Sequence, residues 1–201
     1  MKKLLQIIPV FAFVLLIGTN TKAQDMDNIL YIDLEQGRVA VEMFPDLAPQ
    51  HVERIKKLAR EGFYDGIVFH RVIDGFMAQT GDPTGTGTGG SDLPDLPAEF
   101  NGYNFGRGAI GMARTSDPNS ANSQFFICFD DCSFLNGQYT VWGQVIEGME
   151  FVNQIKRGEP PRNPDKMLKV SIASEGEGVQ TSKDDAPVAA DTTETEGEAA
   201  E

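Results

Sequence analysis

One arginine set among aromatic and thioether side chains marks the chemistry of this chain. It lies in Phe69-His70-Arg71-Val72-Ile73-Asp74-Gly75-Phe76-Met77-Ala78-Gln79, which Ser123-Gln124-Phe125-Phe126-Ile127 answers further along. Arginine keeps its proton and presents five donors on a rigid plane. In apolar company it therefore suits recognition of an uncharged polar group rather than proton transfer. A backbone amide is such a group. Phe125 and Phe126 are neighbours on a strand and face opposite sides, so one points inward and the other outward. An exposed Phe beside Arg and Gln marks a binding groove, although each apolar residue taken alone also suits a barrel core.

Other chemistries fit less well. Gly85-Thr86-Gly87-Thr88-Gly89-Gly90 has the letters of a dinucleotide fingerprint, but Ser91-Asp92-Leu93-Pro94-Asp95-Leu96-Pro97 follows and does not continue as the required helix. The run is read as a flexible glycine loop. His51 and His70 have no ligand-type neighbour at metal spacing and read as packing or surface residues. No Gly-x-Ser-x-Gly elbow occurs, and Cys128 has no evident His partner. Cys128 and Cys132 match neither a redox pair nor a zinc site. Cys128 reads as a buried small hydrophobe, and a disulfide between the two stays open.

Residues 69–82, 111–129 and 134–145 resemble the cyclophilin family of peptidyl-prolyl cis/trans isomerases, in that family's order and spacing, within a similarity spanning residues 29–174. The resemblance implies Arg71 and Gln79 as catalytic residues, with Phe76, Met77, Ala113, Arg114, Gln124, Phe126, Phe134, Leu135 and Tyr139 contacting substrate. Phe134 stands where many members carry Trp, Tyr139 where they carry His, and Arg114 where they carry Asn; one extra residue lies in 115–122. These departures resemble the bacterial branch. Loss of an indole donor argues against tight cyclosporin binding. Implied is an isomerase of X-Pro bonds that acts on unfolded or partly folded proteins with no cofactor, metal or covalent intermediate. A noncatalytic proline-peptide-binding or chaperone module is the alternative on the same barrel, and retention of Arg71 with its pocket favours the enzyme.

These residues need a rigid frame. Residues 29–34 and 39–44 read as a hairpin, and Ala48, Val52, Ile55 and Ala59 recur at helical spacing over 47–61. Strand-like runs return at 67–70, 75–79, 109–113, 124–129, 140–145 and 168–173, with a second helix at 148–157. Residues 80–108 read as surface loop. The mainly β class follows: a closed eight-stranded antiparallel β-barrel capped by two α-helices, because closure removes exposed edges. The resemblance implies the same fold.

Residues 1–23 have a basic start, an apolar run too short to span a membrane comfortably and Ala23 at the expected cut, the layout of a signal peptide. A periplasmic or secreted protein follows, with no stable membrane span after cleavage. Residues 175–201 carry nine acids against Lys183 and no aromatic, as a disordered tail does, leaving residues 24–174 as the isomerase domain. A docking role for that tail is the rival structural reading. Net charge is -13, and the body without its ends remains acidic, which disfavours nucleic acid as a partner. A monomer is expected.

Overall fold

Alternating apolar residues begin the folded body: Leu30 and Ile32 of β1 (Ile29–Asp33) are buried while their neighbours are half-buried. The computed structural model describes residues 26–176; the leader and residues 177–201 of the tail fall outside them. β1 pairs with β2 (Arg38–Met43), as the expected hairpin does. There follow α1 (Pro49–Arg60), β3 (Arg71–Ile73), β4 (Met77–Thr80), β5 (Ala109–Met112), β6 (Phe125–Cys128), β7 (Val141–Glu147), α2 (Met149–Val152), β8 (Lys169–Ile172) and the helical turn α3 (Ala173–Gly176). Every ladder is antiparallel, in the order β3-β4-β6-β5-β7-β2-β1-β8.

The sheet does not close, so the expected closed barrel is corrected to an open half-barrel with β3 and β8 as its edges. β3 is too short to run along β8: it has three residues before the turn at Gly75, whose φ is +67°. Residues 158–167 occupy the seam instead. Val72 and Gly158 exchange both backbone hydrogen bonds at 2.8 Å, and the Phe69 amide donates to the Asp165 carbonyl at 2.9 Å. The strand expected at 67–70 is likewise absent. Ile67 and Phe69 are buried and Val68 half-buried, but the backbone meets the irregular seam segment, with one isolated bridge from Val68 to Lys166.

Two apolar clusters lie on opposite faces of the sheet. The larger joins Leu30, Ile32, Val41, Ile110, Phe125, Trp142 and Val170 to Val52, Ile55 and Leu58 of α1. A smaller one gathers Met77, Phe105, Phe126, Cys128, Cys132 and Leu135. β6 divides Phe125 and Phe126 between them, which is why all four of its residues are buried.

α1 starts with Pro49 in its first turn, where a missing N–H costs nothing. Glu99 caps it from the long loop: its carboxylate accepts from the Gln50 and His51 amides, both at 3.1 Å. The second helix is shorter than expected. After Val152 the bonds tighten to i→i+3, Gln154 to Phe151 and Ile155 to Val152, so regular helix ends well before residue 157. Glu175, the first residue assigned to the acidic tail, lies in α3 and pairs with Arg60 at 2.8 Å.

Residues 80–108 have no strand or helix beyond the end of β4, yet they are not loosely arranged. The Asp82 carboxylate, 1% exposed, accepts from the amides of Thr84, Thr86, Gly87 and Gly89 and from the Thr84 hydroxyl. The glycine loop expected to be flexible is thus wound around one carboxylate.

Candidate active site

Strand register assembles the site. Arg71 of β3 lies opposite Gln79 of β4, Gln79 opposite Phe126 of β6, and Phe126 opposite Gly111 of β5. Directly paired residues share a face, so these form one row across four strands on the side away from the main core. Phe76 enters beside the row from the Asp74-Gly75 turn. Leu135 enters from a single 3-10 turn, Ser133–Leu135.

The row borders a pocket of about 240 Å³ lined by Arg71, Phe76, Met77, Gln79, Ala113, Arg114, Phe126, Leu135 and Tyr139. Gln124 and Phe134 stand outside this lining. Gln124 faces a neighbouring groove of about 490 Å³ along the glycine loop, which shares Gln79, Ala113 and Arg114 with the pocket. Phe134 stands at the rim, 62% exposed, its ring 5.3 Å from that of Phe76. The expected exposed member of the Phe125–Phe126 pair is absent, because both are buried: Phe126, on the pocket side, is 5% exposed, stacked on Phe105 at 5.7 Å and met edge-on by Tyr139.

Hydrogen bonds lock the polar side of the site. Gln124 Nε2 donates to the Gly87 and Gly89 carbonyls at 3.1 and 2.8 Å, while its Oε1 accepts from Gln79 Nε2 at 2.9 Å. Asp82 orders the loop that holds Gln124, and Gln124 in turn holds Gln79. Burial opposes ionisation of Asp82, but its bonds from Thr84, Gly89 and Gly87 together hold the carboxyl down at about 2. His70, buried beside this network, has its pKa lowered chiefly by desolvation and is neutral at neutral pH. His51 is also lowered by burial, with Nδ1 2.6 Å from Glu99 Oε2 under α1.

The two arginines of the pocket differ. Arg114 spends its terminal nitrogens on the carbonyls of Thr115 and Gln138 at 2.8 and 2.7 Å, and its guanidinium lies 4.4 Å over the Tyr139 ring. It builds the wall. Arg71 is bonded only through Nε, to Glu159 at 2.8 Å, which leaves both terminal nitrogens without a partner among the described residues. In a third cavity, about 460 Å³ beside α1, the arginine is committed: Arg54 donates to the Asn122 and Pro94 carbonyls.

A model of the family described as cyclophilin type peptidyl-prolyl cis-trans isomerase/CLD matches residues 29–176. The chain belongs to this family. A probable peptidyl-prolyl cis-trans isomerase of Brucella suis is 54% identical over 169 residues, covering 76% of this chain and 86% of the relative. A cyclophilin from Hirschia baltica superimposes with TM-score 0.70 at 31% identity, covering 75% of this chain and 76% of its own. A Cryptosporidium parvum cyclophilin type isomerase, solved in the presence of the dipeptide Ala-Pro, gives TM-score 0.67 at 29% identity and covers 72% and 98%.

Several residues that build this candidate site escaped the sequence reading. Gly111 is one: a Cβ there would lie 2.5 Å from Phe126 Cζ and 2.6 Å from Phe105 Cε1, so only glycine lets both rings lie flat against β5. A glycine inside an apolar strand was the available signal. Asp82 and Glu159 gave none, because their partners are backbone amides and a distant arginine. Cys128 and Cys132 are free and buried behind Met77 and Leu135. The Cys128 thiol is pushed up by its hydrogen bond to Cys132 and by burial.

Proposed function

We propose that this isomerase turns X-Pro bonds with Arg71 as the donor to the twisting amide and with Phe76, Met77, Phe126 and Leu135 as the seat of the proline ring. The barrier to peptide rotation is roughly 18 to 20 kcal/mol, and X-Pro bonds interconvert unaided in about 10 to 100 seconds. At the twisted transition state the imide nitrogen leaves resonance, becomes pyramidal and regains a lone pair. A fixed cationic donor therefore helps there more than in the planar ground state.

A hydrogen bond to a charged group is worth about 1.5 to 3 kcal/mol, or roughly ten- to a hundredfold in rate. The remainder comes from the apolar walls, which exclude the water that stabilises the planar amide. The pocket is smaller than the about 300 to 1,000 Å³ of drug-sized ligand sites, as suits a single pyrrolidine ring. Gln79, held by Gln124, keeps its oxygen unbonded among the described residues and orients the substrate backbone. Gln124, Ala113, Arg114 and Tyr139 line the path of the flanking peptide, and Phe134 covers the rim.

The observation that carries this reading is an arginine at the edge of an apolar hollow with its terminal donors uncommitted. Arg71→Ala tests it. The fold should persist, and exchange of a short X-Pro peptide followed by NMR should slow tenfold or more; an unchanged rate refutes the assignment. The substrates are X-Pro segments of unfolded or partly folded proteins, processed by a monomer. Export to the periplasm or beyond is supported by the three-part layout of residues 1–23, and N-terminal sequencing of the mature protein tests it.

A further inference from the structure

Three successive residues, Arg157 and the first two of the seam segment, grip three residues of the β3–β4 hairpin. Arg157 Nε donates to Asp74 Oδ1 at 3.0 Å, and its guanidinium lies 4.0 Å over the Phe129 ring. Gly158 is bonded both ways to Val72. Glu159 Oε2 accepts from Arg71 Nε at 2.8 Å. The φ of Gly158 is +147°, and a Cβ there would come within 2.6 Å of Pro161 Cα, so glycine is what lets the chain set residue 159 beside residue 71.

We propose that Glu159 is a positioning residue for Arg71, its carboxylate taking the Nε–H and fixing the guanidinium plane so that the terminal nitrogens are left for the substrate. This rests on Arg71 being the donor to the twisting amide. The Arg71 side chain is 40% exposed, and a long side chain with that little packing would otherwise lose its rotamer freedom only when substrate arrives. Gln79, its neighbour across the ladder, is turned to Gln124, so Glu159 is the only side chain bonded to Arg71 among the described residues. The carboxylate belongs to the segment that fills the seam of the open sheet, and Arg157 and Gly158 fix that segment from the adjacent positions. Because the pair is exposed, its electrostatic contribution is small and its geometric one decides.

The test compares wild type, Glu159→Ala, Glu159→Gln and Arg71→Ala on one short X-Pro peptide, separating kcat from KM. Glu159→Ala should lower kcat about three- to tenfold with KM little changed, since the apolar pocket is untouched. Glu159→Gln keeps an oxygen that accepts from Nε and should recover at least half of the loss. The Arg71 Nε–H resonance should be sharp in wild type and Glu159→Gln and broadened in Glu159→Ala. If Arg71→Ala is impaired while Glu159→Ala turns over normally, or if both Glu159 variants are impaired equally, the positioning role is overturned alone. If Arg71→Ala turns over normally, the reading of Arg71 falls and this inference with it.

Discussion

Replacing Asp82 by Asn removes one charge and keeps the shape, which makes it a sharp probe of how the glycine loop supports the site. In the wild type Oδ1 accepts from the Thr84 amide and hydroxyl, both at 2.7 Å, while Oδ2 accepts from the amides of Thr86, Gly87 and Gly89 at 3.1, 2.6 and 3.1 Å. Whichever way the Asn amide turns, its NH2 group confronts donors. Holding the carboxyl at about 2 against an ordinary 3.8 corresponds to about 2.5 kcal/mol of stability at neutral pH. The folded pKa is depressed, so this stability is fully present above pH 3.8 and is lost as pH falls towards 2. Urea unfolding at pH 7 should therefore find Asp82→Asn less stable by about 2 to 3 kcal/mol, and at pH 3 the gap should shrink to about half. KM for an X-Pro peptide should rise, because the loop carbonyls that hold Gln124 lose their anchor. A variant within about 0.5 kcal/mol of wild type at pH 7, or a gap that does not change with pH, refutes the reasoning.

Gly111→Ala places a Cβ against Phe126 and Phe105; overpacking of this kind costs about 1 to 3 kcal/mol. Denaturant melts should show that loss, and peptide titration should show weaker binding as Phe126 is pushed into the pocket. Phe134→Ala, at an exposed rim position, should leave stability within about 0.5 kcal/mol while raising KM for X-Pro peptides; steady-state kinetics beside a melt separates the two effects.

The hairpin at 29–44 and helix α1 were legible because their apolar periods are local and strong. So was the set of side chains around the pocket, carried by short runs in a known order. Less legible was anything that depended on a second, distant segment. One of Phe125 and Phe126 was expected to be exposed, yet both are buried, and the cover over Phe126 comes from Phe105 and Tyr139, which no strand pattern ties to it. The glycine loop looked loose because a carboxylate bonded to amides leaves no signature in neighbouring side chains.

What the sequence determined by itself is which side chains share a face: alternation along a strand and recurrence along a helix follow from backbone dihedrals alone. That sufficed to separate Phe125 from Phe126 and to place Arg71 and Gln79 among apolar residues. Only the tertiary structure decided that the sheet stays open, that residues 158–167 fill the seam, and that Glu159 meets an arginine 88 residues earlier in the chain. Such contacts follow from where the chain returns in space, which depends on the packing of every element between, and local periodicity carries no record of it.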